Sequence, residues 1–504
     1  MRGGRAFYAV PRPGAAAEAR LGRAMLALSA LCFLLSAVAW RETVMRLRSA
    51  IVIDDAFILY RYAEHWAAGF GPTWNVGEAH AEGYSSPLFV ALLAAGKALG
   101  ADVPALAEAL GIACSLSTVA LLLWLTHSMT GRAAWALLAG AILLVHPSFA
   151  LWAVGGMETP LYTLLLLGVV AAVHRSTTSE RRRALWALSL LLSLAALART
   201  EGVLAAAALA ALAPFAPPSL GRRWLRALVP VAFVVALHVL VRRLYYGLWL
   251  PLPVYEKGDA LVGWDLVWGF AADHWVYLPF VALALALGRG RAALPMRYAA
   301  VVAVALAVIV LQVDPVMGRF QRYLLPCLPG LVLLFVLGLR AAVSRLRPRM
   351  WVLASLAVAA LLSGPEVVGA SRDAQGVAVA LYSARLHRGH VRLGQWIAAR
   401  ADPDTQLVVA DCGVIPYYAG VRVIDVFGLN TPHVAMHGVD TDWIFSQRPE
   451  LVVVSTLARD APIRADPRLR RDYVHVATIV GLYPLALYRR RDFPIGAAPT
   501  RTVT

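Results

Sequence analysis

The stretch DDAFILYRYAEHWAAGFGPTWNVGEAHAEGYSSPL, residues 54–88, follows an apolar run over 22–40 and decides how the chain is read. It sets two adjacent carboxylates, Asp54 and Asp55, at a membrane boundary. Such a pair is costly to desolvate and repels itself, so its presence there points to holding a cation or moving a proton. The same stretch carries Tyr60, Arg61, Glu64, Trp74, Asn75, Glu78, Glu82 and Tyr84, polar and aromatic groups unusual for a loop that only joins two spans.

The chain around it is built for a bilayer. Of its 504 residues 60% are hydrophobic and 15% charged, with a mean hydropathy of +0.65. A span needs roughly 20 mostly apolar residues. Eleven are expected, at 22–40, 108–128, 133–149, 158–174, 184–199, 201–216, 226–246, 274–288, 297–313, 322–340 and 349–364. The run 87–100 is too short and reads as a re-entrant or interfacial helix. Arginines before residue 22 and the lack of a small-residue cleavage site mark 22–40 as a retained first helix.

The net charge of +17 does not indicate nucleic acid, because the arginines cluster in short loops between apolar runs. HRSTTSERRR (174–183) and RAAVSRLRPR (340–349) hold four each, and GRRWLR (221–226) and GRGRAALPMR (288–297) three each. HPSFALWAVGGMETP (146–160) has no Lys or Arg. The positive-inside rule therefore puts the N-terminus in the cytoplasm and the C-terminus outside. Arg242 and Arg243 break the pattern. Residues 1–364 read as the membrane module and 365–504 as a small α/β domain outside the cytoplasm. In that domain QLVVAD (406–411), VRVIDV (421–426) and ELVVVS (450–455) read as buried strands, and HVRLGQWIAARA (390–401) as a helix.

Charged residues collect at one membrane face. The outer loops add Glu158 in GGMETP, Arg199 and Glu201 in ARTEG, and Tyr255, Glu256 and Lys257 in YYGLWLPLPVYEKG. Asp314, Arg319, Arg322 and Tyr323 follow in VDPVMGRFQRYLLPCLP. Lys257, Arg319 and Arg322 suit a lipid phosphate, since guanidinium forks and ammonium charges both bind such groups. Aromatics such as Trp74, Tyr84 and Tyr255 suit sugar faces or the interfacial belt. A carboxylate can take the proton of an acceptor hydroxyl. These ingredients describe sugar transfer from a lipid-phosphate donor.

On these residues the chain resembles the mycobacterial terminal arabinofuranosyltransferase group, GT-C membrane glycosyltransferases that use decaprenyl-phosphate-arabinose. Residues 54–88 are similar to the DDAYI-type first loop and its WNPGE-x-VEGYTS/N-PLW-like continuation, departing at Val76 and Ala81. GGMET, the R-x-EG of ARTEG, the loops ending at Lys257 and Pro329, and VADCGVIPYYAGVRVIDVFGLN (409–430) are similar as well, in the same order. The resemblance implies a GT-C-like helical membrane fold, a polyprenyl-phosphate sugar donor, and a glycan, glycolipid or protein acceptor at the outer face of a bacterial plasma membrane. It also implies that the first-loop carboxylate approaches the acceptor. Asp54 is then expected as base with Asp55 supporting it. Donor phosphate is expected on Lys257, Arg319 and Arg322. Substrate is expected on Tyr60, Arg61, Trp74, Asn75, Glu82, Tyr84, Glu158, Arg199, Glu201, Tyr255 and Asp314.

Other readings of the same residues stay open. The carboxylate pair could hold a divalent cation, or cap a helix. Arg199 and Glu201 could simply pair, and Glu158 could cap its helix. Asp411 and Asp425, at strand ends, read as caps of the turns that follow. His387 and His390 lack a third ligand for zinc. A transporter or flippase of lipid-linked sugars is the competing function, but such proteins place ionisable groups near the midplane and often show repeats. Here the charges sit at span ends, on one side.

Overall fold

The computed structural model describes residues 15–48, 51–256, 263–311, 321–344 and 371–494. The membrane module is helical. Its elements are α1 (Ala15–Arg48), α2 (Asp54–Ala67), α3 (Pro87–Ala98), α4 (Val103–Thr130), α5 (Ala133–Val145), α6 (Pro147–Ala153) and α7 (Thr159–Thr178). They continue with α8 (Arg182–Ala198), α9 (Val203–Leu212), α10 (Pro218–Tyr245), α11 (Leu252–Glu256), α12 (Trp264–Asp273), α13 (Leu278–Leu287), α14 (Leu294–Leu311) and α15 (Leu328–Val343). Among the described residues six helices are long and apolar enough to cross a bilayer, or eight if each of two bent pairs counts as one span. The chain is a multi-pass membrane protein. An apolar face on α10, formed by Val229, Phe233, Leu237, Leu240 and Leu244, is exposed and suited to contact with lipid.

Local chemistry sets the boundaries. Asp102 caps α4 by accepting from the Ala105 N–H at 3.1 Å, and Gly131, at φ +68°, ends it in the left-handed conformation. Pro147 lacks the N–H needed to continue α5, and the chain bends by 71° there. α12 and the segment Trp275–Leu287 meet at a second bend of 61°. The two breaks touch: His146 and His274 stand at them with Nε2 atoms 3.2 Å apart and rings stacked.

The expected spans differ from the helices at these breaks. The run 133–149 is the bent α5–α6 pair, and 274–288 is preceded by α12 rather than by a loop. The run 201–216 is a short interrupted helix, and 184–199 corresponds to the 17-residue α8. The run 87–100 is the 12-residue α3. The span at 349–364 and the domain boundary at 364/365 lie outside the described residues.

Residues 371–494 form an α/β unit around a five-stranded sheet in the order β2-β1-β3-β5-β4. β1 (Gln406–Val409), β2 (Arg422–Asp425) and β3 (Leu451–Val454) are parallel. Their apolar runs suit strands covered on both faces. β4 (Tyr473–Val480) and β5 (Pro484–Arg490) form an antiparallel hairpin against β3. That hairpin was not expected from the sequence, because YVHVATIV and PLALYRR carry only partial burial and no uninterrupted apolar run.

The sheet unit is joined to the membrane module through α2 and the loop after it. Arg61, buried, donates to the carbonyls of Trp74 (2.9 Å), Pro416 (2.8 Å) and Val421 (2.7 Å) and to Asn75 Oδ1 (3.3 Å). Asn75 pairs with the edge strand as another strand would: its Nδ2 donates to Val423 O at 3.0 Å, and its Oδ1 accepts from Val423 N at 2.9 Å. Trp74 Nε1 donates to the same carbonyl at 3.3 Å. Gly83 must be glycine, since a Cβ there would stand 1.8 Å from Asn430 Oδ1.

Arg61→Met keeps most of the side-chain volume but strands these buried acceptors, each worth about 1–3 kcal/mol when left without a donor. We expect the purified variant to melt several degrees below wild type. An unchanged melting temperature would show that the clasp contributes nothing.

Candidate active site

A cavity of about 470 Å³ opens at the ends of several helices. One wall is ionic. Asp55 comes from the first turn of α2, Glu158 from the residue before α7, Arg199 and Glu201 from the turn between α8 and α9, and Arg322 from the segment before α15. Much of the remaining lining is apolar: Ile58 and Leu59 of α2, Met157, Val203 and Leu204 of α9, Ile309 of α14, and Leu250, Pro253 and Val254 around α11.

The ionic wall is one network. Arg199 holds Glu201 through two contacts, of 3.0 and 3.3 Å, and also donates to Glu158. Arg322 bridges Asp55 at 3.2 Å and Glu158 at 3.3 Å. Its guanidinium lies over the rings of Trp152 and Tyr323, and that of Arg199 over Tyr323. Burial of these charges is tolerated because each is paired. The pairing is incomplete: among the described residues, buried Arg322 Nε has no hydrogen-bond partner, and neither has Ser86 Oγ in the same cavity wall. Buried donors of this kind are costly unless a ligand takes them.

Six residues expected at a site meet here: Asp55, Tyr84, Glu158, Arg199, Glu201 and Arg322. Tyr84 is fixed by a 2.8 Å hydrogen bond between its hydroxyl and that of Tyr246. Arg199 and Glu201 do pair with each other, but they do so inside the cavity wall.

Seven others stand elsewhere, which corrects the expectation. Arg61, Trp74 and Asn75 spend their polar atoms on the main chain of the sheet unit, as described above. Tyr60 is buried and donates to Gly156 O at 3.0 Å. Glu82 is buried against Arg242, and its own carbonyl accepts from Leu252 N at 3.0 Å. Tyr255 is exposed and outside the cavity wall. Asp54 points into the sheet unit, where its carboxylate accepts the N–H groups of Val414 (2.8 Å) and Gly413 (3.2 Å). A Cβ on Gly413 would stand 2.0 Å from Asp54 O, so the approach requires glycine. Lys257, Asp314 and Arg319 lie outside the described residues.

The sequence reading did not single out Ser86 or Tyr246 as site residues. Arg242 was visible as a cation against the charge rule, and the structure gives it Glu82 as partner. Asp425 caps its turn as expected: it accepts from Phe427 N (2.8 Å) and Asn430 N (2.9 Å). Asp411 instead pairs with His390 at 3.0 Å and with the Tyr483 hydroxyl. Among the described residues no group of three or more His, Cys, Asp or Glu could hold a metal ion.

The fold is shared with solved membrane enzymes. The crystal structure of ArnT from Cupriavidus metallidurans bound to undecaprenyl phosphate matches with a TM-score of 0.59 and 17% identity, over 94% of this chain and 99% of that one. Its apo form matches at 0.58 and 16%, over 91% and 97%. The archaeal oligosaccharyltransferase AglB from Archaeoglobus fulgidus, in complex with an inhibitory peptide and a dolichol-phosphate, matches at 0.53 and 11%, over 94% and 75%. At these identities the likeness concerns architecture, and it agrees with the GT-C-like fold that the sequence resemblance implied. A family model described as a domain of unknown function (DUF8728) matches residues 379–497. No curated protein matches.

Asp54 supplies a pH prediction. Burial, and next the charge of Asp411, push its carboxyl from the ordinary 3.8 up to about 7, against the opposing effects of His390 and the Val414 N–H. A carboxyl raised by docking favours the docked state in its protonated form. Its contribution is complete below about 3.8 and lost as pH rises through about 7. Hydrogen exchange at the amides of Gly413 and Val414 should therefore be slower, relative to the intrinsic rate, near pH 5 than near pH 8. Asp54→Asn should flatten the difference, and a wild-type profile in that variant would refute the assignment.

Proposed function

We propose that the chain is an integral membrane glycosyltransferase that moves a sugar from a polyprenyl-phosphate donor to a glycan, glycolipid or protein acceptor. The observation that carries the reading is the mixed lining of the cavity: apolar side chains suited to an isoprenoid, together with a buried guanidinium whose Nε–H is unused among the described residues. The neighbours of similar fold include one with bound undecaprenyl phosphate and one with dolichol-phosphate. The reading extends to a lipid-linked sugar and stops short of the arabinofuranosyl donor.

The chemistry is a single displacement. Asp55 takes the place expected of Asp54 as base, because it lines the cavity while Asp54 is engaged by the sheet unit. The acceptor hydroxyl gives its proton to the Asp55 carboxylate as its oxygen bonds to the anomeric carbon. The bond from that carbon to the phosphate oxygen breaks, the configuration inverts, and the electron pair leaves on the lipid phosphate. Arg322 meets the developing charge through its free Nε–H. Lys257 and Arg319 join it as phosphate ligands in this proposal. A flippase is the second reading, but no feature of the cavity favours it.

Two variants separate base from phosphate ligand. Asp55→Asn should lower transfer by roughly 10²–10⁴-fold while leaving affinity for undecaprenyl phosphate near wild type. Arg322→Ala should weaken that affinity by about 10- to 100-fold, the usual worth of a charge-assisted hydrogen bond, and Arg322→Lys should restore only part of it. Full turnover in Asp55→Asn would end its role as base.

The proposal puts the cavity at the extracytoplasmic end of the module, on the distribution of arginine. Glu158 precedes α7, whereas Arg175 and Arg181–Arg183 lie at and beyond its other end. An impermeant maleimide applied from outside should label a cysteine at position 440 and not one at position 180. The opposite pattern would invert the topology.

A further inference from the structure

We propose that the sheet unit carries a second binding site, for a saccharide bearing carboxylate or phosphate groups. The proposal rests on the reading that the enzyme acts on a glycan, and it identifies an anionic chain as the partner. The site is a cavity of about 460 Å³ framed by Thr441–Ser446, Pro467–Arg471, β4 and β5. Five guanidiniums line it, those of Arg448, Arg468, Arg471, Arg490 and Arg491, against three carboxylates, Asp442, Asp472 and Asp492.

The guanidiniums fall into two kinds. Arg468 is fixed in place: it lies over the Phe445 ring at 4.9 Å, and Asp466 holds it through contacts of 2.9 and 2.7 Å. Others are available at small cost. Arg471 pairs with Asp472 at 2.8 Å with side chains 72% and 42% exposed, and Arg448 with Asp492 at 3.0 Å with 72% and 54%. Arg471 also reaches the second oxygen of Asp472, at 2.9 Å, whereas Arg448 holds Asp492 through one contact. Both pairs are open to solvent, so an incoming anion can compete for their donors. Arg491 makes its hydrogen bonds to the main-chain carbonyls of Arg471 and Arg470. At φ +53°, Arg448 also occupies a backbone conformation that glycine adopts without strain.

This chemistry fits a sugar chain better than a lipid surface. The site is concave, which suits a chain segment better than a flat bilayer, and the aspartates between the arginines can accept hydrogen bonds from sugar hydroxyls. Planar guanidinium and carboxylate groups match vicinal hydroxyls and acid groups two bonds at a time. The position suits a long partner, because β4 is at the opposite edge of the sheet from β2, which docks on Asn75.

The test is calorimetric titration of the full chain, in nanodiscs of zwitterionic lipid, with tri-galacturonate and with its methyl ester. The acid should bind and the ester should bind at least about tenfold more weakly, with affinity falling as salt is raised. The double variant Arg471→Ala/Arg491→Ala should lose about tenfold or more for the acid with an unchanged melting temperature. Equal binding of acid and ester, no binding of the acid, or full affinity in the folded double variant would overturn the proposal. So would displacement of the saccharide by phosphatidylglycerol in the nanodisc, which would assign the arginines to the membrane surface. The readout is binding, so it stands apart from the outcome of the Asp55→Asn measurement.

Discussion

The buried guanidinium of Arg61 is the interaction on which the arrangement depends. It sits on α2, the helix that also carries Asp54 into the sheet unit and Asp55 into the cavity. One cation, with no ion pair among the described residues, satisfies carbonyls from the first loop and from both ends of the 416–421 segment. Burial pushes its pKa down to about 10, still well above neutrality, so the charge is kept and its N–H groups need acceptors, which four hydrogen bonds supply. The guanidinium fork thereby fixes the orientation of α2 relative to the sheet. That orientation turns two adjacent aspartates to opposite tasks: successive positions on a helix lie about 100° apart, so the neighbours cannot face the same partner.

The cavity then works by partial compensation. Three carboxylates and two guanidiniums share the cavity wall, and Arg322 serves two of the carboxylates at once. Such a network resists the approach of an anion less than a set of saturated pairs would, because Arg322 already holds one donor in reserve.

Much of this was legible in the sequence, and the failures have a common physical cause. The apolar runs of β1, β2 and β3 announced the parallel strands, and the asymmetry of arginine between loops announced which helix ends differ. Glu158, Arg199, Glu201 and Arg322 could be found because a charge beside an apolar span is costly to desolvate and so signals a partner or a ligand. Arg61, Trp74, Asn75 and Glu82 have the same residue types as a sugar site, and a sequence does not tell a ligand's hydroxyl from a main-chain carbonyl as their partner. Only the fold shows that Val423 and Val421 arrive from more than 340 positions away to take those hydrogen bonds. The bends at His146 and His274 were hidden for a related reason. Hydropathy averages over a window and does not register a 71° break within it.

The separation in sequence of these partners governs the order in which the molecule can be completed. Val52 with Ser383, Arg61 with Val421 and Asp54 with Val414 join residues 331 to 360 apart. Helices inserted early leave α2 and its loop with unmatched donors until the last part of the chain has been synthesised and has crossed to the same side. Long-range closures of this kind come late and are slow. The exposed edge of β2 stays open for strand pairing during the same interval, until the Asn75 amide covers it. Docking of the sheet unit therefore has to follow synthesis of the first loop by more than 300 residues, and a chain interrupted before β2 leaves that loop unclasped.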